Sequence, residues 1–200
     1  MPFTRRSLLS VVAAGAMLPA LAHAADDPRR TERAIGKPDA KVTVLEFFSL
    51  TCTHCAHFSQ TTFPQVKSQL IDTGKVRFVY HDFPLDQVAL TAAMIARSLP
   101  ENRYEPFISA LFANQDRWAF SRQNNPTDEI WKTAALAGMS RSAFDAAIAD
   151  TGLKTWIVAQ QTADQTKYNI DSTPTFVING KKAEGALSFD DFNKLVAAAS

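Results

Sequence analysis

The sequence predicts an α/β fold in which two halves of one sheet are separated by an all-helical insertion. Three observations carry this. Residues 41–48 form a nearly continuous apolar run, and a helical pattern and a second strand pattern follow it. Strand, helix and strand at these lengths make a βαβ unit with a parallel pair. Residues 85–169 show helical patterns and no strand signal, and strand character then returns for a closing ββα segment.

The first residues are read apart from the fold. Arg5 and Arg6 precede an apolar run that Pro19 interrupts, and Ala22-His23-Ala24 follows as a small-x-small exit. This is the pattern of a secretion signal over residues 1–24. The apolar run is short of the roughly 20 residues a spanning helix needs. Thr4-Arg5-Arg6-Ser7-Leu8-Leu9 also fits a twin-arginine export signal, but ordinary signals carry Arg pairs too, so both routes stay open. No Cys stands near the cleavage site to take a lipid anchor.

Residues 25–40 form a polar lead-in. In the first strand, Val42, Val44, Leu45, Phe47 and Phe48 leave room for one charge, Glu46. A helix starts near Cys52, and Phe63, Val66 and Leu70 give it an apolar face. Pro64 should kink it, since proline cannot bond back to Gln60. Gly74 ends it, and residues 75–81 alternate as the second strand.

In the insertion, helices are expected at 88–99 and 104–113, from a cap at Thr127 to Gly138, after Ser140, and at 153–167. Strand character returns at 175–178, Asn179-Gly180 is a hairpin turn, and 182–187 is the returning strand. Ser188 with Asp191 three residues on caps the last helix. The expected division is 41–84 with 170–200 as the α/β part and 85–169 as the insertion, which shares one domain with it. Phe58, Phe63, Trp118, Phe120, Trp131 and Trp156 are expected in packing, His57 faces solvent, and His81 and Asp82 receive no role.

Charge excludes some functions. The whole chain has 21 basic and 20 acidic residues, and cleavage after Ala24 removes two Arg and no acid. So near-neutral a protein does not call for nucleic acid or an anionic membrane.

The chain has two cysteines, Cys52 and Cys55. A secreted protein normally spends cysteine on bridges between distant segments, and none is possible here within one chain. At the start of a helix, positions i and i+3 share a face. Cys52 sits where unpaired N–H groups and the macrodipole favour a thiolate, the reacting species. Cys55, a turn further in, would resolve a mixed disulfide. A structural bridge over so short a loop would be a weak staple. Zinc would need two more ligands, so no metal and no cofactor is expected. His54 could donate to the Cys52 sulfur. Thr53 completes the motif, with an effect that spacing does not define. Glu46 in an apolar strand is costly unless neutral or paired; the alternative is a strand-end side chain reaching solvent.

Val44-Leu45-Glu46-Phe47-Phe48-Ser49 before Cys52-Thr53-His54-Cys55 resembles the DsbA family of bacterial periplasmic thiol:disulfide oxidoreductases. So do Gly36-Lys37-Pro38-Asp39-Ala40 and Thr173-Pro174-Thr175-Phe176-Val177-Ile178-Asn179-Gly180. The similarity covers essentially the whole mature chain. It implies a thioredoxin-like fold with a helical insertion, a cis Thr173–Pro174 bond facing the cysteines, and Glu46 as proton relay to Cys55. The implied activity is a periplasmic oxidase that passes the Cys52–Cys55 disulfide to reduced or unfolded secreted proteins, reoxidised by a DsbB-type membrane partner.

Thr53 and Thr173 depart from the best-known oxidase pattern, and Thr before the proline resembles isomerases. A disulfide isomerase or reductase is therefore the nearest alternative; a peptide-binding chaperone or metallochaperone is the non-enzymatic one. Isomerases of this class usually carry an N-terminal dimerisation domain. Residues 25–40 leave no room for one, so a monomer is expected.

Overall fold

The computed structural model describes residues 27–200. The expected signal at 1–24, with its twin-arginine pattern, lies outside the described residues. Strands β1 (Arg33–Ile35), β2 (Val42–Phe48), β3 (Val76–Asp82), β4 (Thr175–Ile178) and β5 (Lys181–Glu184) form one sheet in the order β1-β3-β2-β4-β5. β2 and β3 run parallel, while β1, β4 and β5 each pair antiparallel with their neighbour.

The short β1 lies in what the sequence suggests is only a polar lead-in. It is held by register with β3, Arg33 facing Tyr80. Gly36 lets the chain pass close to β3: its φ is +92°, and a Cβ there would lie 2.5 Å from the Val76 carbonyl oxygen. At the other edge β5 exposes Lys181, Lys182 and Glu184, charges that discourage further strand pairing.

Helices α1 (Thr53–Thr61) and α2 (Phe63–Val66) connect β2 to β3, followed by a π-helical stretch at Lys67–Ile71. The single kinked helix expected here is instead broken at Thr62. Pro64 sits in the first turn of α2, where its missing N–H leaves no bond unmade. The insertion contains α3 (Gln87–Ser98), α4 (Glu101–Ala113), α5 (Gln115–Trp118), α6 (Pro126–Leu136), α7 (Arg141–Ala149) and α8 (Thr151–Tyr168); α9 (Phe189–Ala197) closes the chain. The expected cap of α6 at Thr127 is corrected to Asn125. Its Oδ1 accepts from the backbone N–H groups of Thr127 (2.9 Å) and Asp128 (3.3 Å), with Pro126 at the first helical position. Ser188 caps α9 as expected, accepting from the Asp191 N–H at 3.2 Å.

The core fills the sheet face under α1, α2 and α9. Phe58 stacks near Phe176 and Phe192, with ring centroids 4.7 and 5.9 Å away. Phe58, Phe63 and Trp118 are buried and Trp131 and Trp156 partly so, but Phe120 is 48% exposed.

Two polar links fasten the insertion to β3. Buried Arg97 on α3 pairs with buried Asp82, which also accepts from the Tyr104 hydroxyl at 2.8 Å. His81 Nδ1 lies 2.7 Å from Asp164 Oδ2 on α8. Both β3 residues, without an assigned role from sequence, hold the two parts of the fold together.

Candidate active site

β2 ends in a buried turn that delivers Cys52 to the N-terminus of α1. Cys52 is the helix cap itself: its extended backbone (φ −81°, ψ 120°) ends the turn, and its sulfur accepts from the Cys55 backbone N–H at 3.3 Å. Cys55 is fully buried and Cys52 only 8% exposed; both are free thiols.

The insertion clamps this turn from two sides. Gln115 Nε2 donates to the carbonyl oxygens of Leu50 (2.8 Å) and Cys52 (3.0 Å). Thr51 Oγ1 donates to Asp86 Oδ2 at 2.7 Å, and Asp86 caps α3 through the Ala89 N–H, also at 2.7 Å. Gln115 carries no sequence signal, because its partners are backbone atoms more than sixty residues away. Replacing it by alanine is expected to cost about 1–2 kcal/mol, since the Leu50 carbonyl loses its partner while Cys52 keeps the Ala56 N–H. Urea unfolding of the variant measures this.

The Thr173–Pro174 bond is cis. It turns the Thr173 carbonyl toward Cys52, whose thiol donates to it at 3.2 Å. The Thr173 hydroxyl is buried and makes no hydrogen bond.

The two sulfurs are driven in opposite directions. Cys52 is lowered from 9.0 to about 5, first by the hydrogen bond from the Cys55 side chain, against the opposing effect of burial, then by Thr173 and the backbone N–H groups of Cys55 and His54. The helix N-terminus thus contributes, but the partner thiol contributes more. Cys55 is pushed well above its ordinary value by burial first and then by Cys52. The His54 imidazole is exposed and makes no hydrogen bond to Cys52; this residue acts through its backbone. Thr53 is likewise exposed.

Glu46 is buried at 5% exposure, in register with Tyr80 on one side and Phe176 on the other. Burial, reinforced by the Cys52 charge, raises its carboxyl from 4.5 to about 8. Its charge is felt in turn at Cys55. The side chain does not escape to solvent, and burial favours its neutral form. Among the described residues no group of three or more His, Cys, Asp or Glu is placed to hold a metal ion.

Chemically, the site offers a stabilised thiolate that is the less buried of the two sulfurs, a fully buried thiol partner and a buried acid within electrostatic reach of both. A family model described as thioredoxin matches residues 29–198. A Rickettsia prowazekii protein with a provisional protein-disulfide oxidoreductase name is 29% identical over 166 residues, which is 82% of this chain and 60% of that protein. The chain thus spans about 60% of the length of this curated relative. Crystalline alpha-DsbA1 of Wolbachia pipientis is 30% identical, covers 84% of this chain and 92% of its own, and superposes with a TM-score of 0.77. A protein-disulfide isomerase of Novosphingobium aromaticivorans is 25% identical, with coverage of 84% and 96% and a TM-score of 0.72. By the family match and the alpha-DsbA1 likeness together, the chain belongs to the thioredoxin-like DsbA family.

Proposed function

We propose that this protein is a periplasmic thiol:disulfide oxidase that donates its Cys52–Cys55 disulfide to reduced secreted proteins. The observation that carries the reading is the opposed pair of sulfurs: Cys52 held near 5 and Cys55 held well above its ordinary value. A stabilised Cys52 thiolate is a good leaving group, so the reduced form is favoured and the disulfide is readily given away.

A substrate thiolate attacks Cys52 Sγ. The Cys52–Cys55 bond breaks, and its electron pair leaves on Cys55, which takes a proton from neutral Glu46. A second substrate thiolate then attacks the substrate sulfur of the mixed disulfide, and Cys52 departs as the thiolate. The substrate leaves with a new disulfide, and the enzyme holds the two electrons. A DsbB-type membrane protein would remove them. The Thr173 backbone beside Cys52 offers a strand edge for an extended substrate segment.

In this reading residues 1–24 direct export, 41–84 with 170–200 carry the site, 85–169 brace it, and the protein acts as a monomer. An isomerase or reductase is the second reading. It is favoured by Thr173 before the cis-proline and by the likeness to a protein-disulfide isomerase.

Stability linkage tests the oxidase reading. The folded Cys52 value is depressed, so its contribution is fully present above the unfolded value of about 8.5 and is lost as pH falls through about 5. At pH 7 Cys52 should contribute about 2 kcal/mol more to the stability of the reduced form than it does at pH 4.5, after allowance for solvent at the site mouth. The oxidised form lacks this contribution. Paired denaturation curves of the two redox forms read the difference, and one that does not change with pH contradicts the oxidase reading.

A further inference from the structure

Ser49 directly follows β2, stands three residues before Cys52 and is 1% exposed. Its Oγ lies 3.3 Å from the Leu85 backbone nitrogen, 3.4 Å from that of Thr51 and 3.2 Å from Thr51 Oγ1. A serine hydroxyl has one proton to donate and two lone pairs to accept with. All three are engaged here, at a buried position where an unmade bond would be costly.

The direction of this small network is fixed by proton counting. Thr51 Oγ1 gives its only proton to Asp86 Oδ2, at 2.7 Å. The contact between the two hydroxyls must therefore use the Ser49 proton, so Ser49 donates and Thr51 accepts. The chain runs from the Leu85 and Thr51 N–H groups to Ser49, then to Thr51, and ends on the Asp86 carboxylate. Asp86 is itself anchored as the cap of α3 through the Ala89 N–H at 2.7 Å, where the helix N-terminus favours its negative charge. Bonds aligned in one direction strengthen one another.

The Ser49 backbone meets the cysteines. Its carbonyl oxygen accepts from the Cys52 N–H at 3.0 Å. Burial first, and then Cys52, disfavour the charged form of the Cys55 sulfur, and a hydrogen bond from the Ser49 backbone favours it. Gln115 holds the later part of the same turn, at the Leu50 and Cys52 carbonyls. We propose that the Ser49 hydroxyl, oriented by Thr51 and Asp86, is a positioning group for the redox pair: it fixes the peptide that holds the Cys52 N–H, and with it the place of the Cys52 sulfur between the Cys55 N–H and the Thr173 carbonyl.

The assignment rests on the thiol-exchange reading above and adds a residue that sets the balance between its two redox forms. In the reduced form the Cys52 sulfur is placed only by non-covalent contacts, the Cys55 N–H at 3.3 Å and the Thr173 carbonyl at 3.2 Å. Hydrogen bonds of this kind weaken steeply with misalignment. In the disulfide the same sulfur is uncharged and is tied to Cys55 by a covalent bond, so its place depends less on the turn. Loosening the turn at Ser49 therefore weakens the reduced form more than the oxidised one. A purely structural serine would weaken both forms alike.

The test is the equilibrium of the full chain with glutathione, in which two glutathione thiols become one glutathione disulfide as the Cys52–Cys55 bond is reduced to the thiol pair. Ser49→Ala should shift this equilibrium about fivefold toward the oxidised protein, the worth of roughly one hydrogen bond, and should raise the pH at which the Cys52 thiolate appears by ultraviolet absorbance. Thr51→Val, at a half-buried position, keeps the side-chain shape and removes the link to Asp86. It should shift the equilibrium in the same sense by about twofold to threefold, because Asp86 is exposed and water replaces part of the bond. Thr51→Ser, which keeps the hydroxyl, should restore the original value. Should Ser49→Ala fail to fold, the two Thr51 variants carry the same comparison. An equilibrium constant and a thiolate titration equal to those of the unaltered protein in Ser49→Ala, or in Thr51→Val, would overturn the assignment whatever happened to the unfolding midpoint. If the unaltered protein itself never exchanged with glutathione, the thiol-exchange reading would fall, and the assignment with it.

Discussion

Replacing Cys52 by alanine is expected to reduce disulfide transfer to the uncatalysed background. The chain holds no third cysteine, and Cys55 is fully buried with its thiol held protonated by burial and by its neighbour. It can neither reach a substrate nor supply a thiolate near neutral pH. Cys55→Ser should behave differently. The serine hydroxyl can still donate to the Cys52 sulfur, and the backbone N–H at position 55 remains 3.3 Å away. Cys52 should therefore stay reactive. Offered a peptide disulfide, it should form a mixed disulfide that nothing resolves, visible as a stable covalent adduct by mass spectrometry. Cys55→Ala lacks the side-chain donor, the largest influence on Cys52, and its thiolate should titrate higher. Turnover retained by Cys52→Ala would sink the mechanism.

Glu46→Gln should make the protein more stable and less active at once. Glu46 has a folded value raised to about 8, chiefly by burial. Its contribution to stability is fully present below its unfolded value of 4.5 and is lost as pH rises toward the folded value. At pH 7 the loss is about 3 kcal/mol, and glutamine, which does not titrate, avoids it. Denaturation at pH 7 should show a gain of that order, disappearing below pH 4.5. The resolution step should slow by roughly tenfold to a hundredfold, the low end of acid–base assistance, since water can replace part of the relay. A variant with unchanged stability at both pH values would mean that Glu46 is ionised and solvated in the folded protein.

That pairing of gain and loss explains why Glu46 was legible in the sequence. A single acid among Val42, Val44, Leu45, Phe47 and Phe48 breaks a buried strand pattern, and such a break marks a site rather than a core. Cys52, Cys55 and the Asn179-Gly180 turn were legible for similar reasons: each depends on near neighbours. Asn179 and Gly180 both adopt positive φ, 43° and 87°, as the hairpin turn requires.

What escaped the sequence depends on distant partners. β1 is three residues long and exists because Arg33–Ile35 meets β3. Gln115 looks like any polar helix residue until its side chain is placed under Leu50 and Cys52. Tyr80 fits an alternating strand pattern, and only the register shows that it stands opposite Glu46. Thr127 was the expected cap because Asp128 and Glu129 follow it. Asn125 takes the position because Pro126 is better suited to the first helical turn. Phe120 shows the limit from the other side: aromatic composition suggested packing, but the loop after α5 leaves it 48% exposed.

In the proposed reaction electrons flow from substrate to this protein. The reduction potential of the Cys52–Cys55 pair, set by equilibrium with glutathione, tests it most directly. A Cys52 thiolate held near 5 predicts an oxidising couple, nearer the roughly −120 mV of a strong DsbA oxidant than the roughly −270 mV of thioredoxin. A value at or below that of thioredoxin would contradict donation and leave the site a reductase.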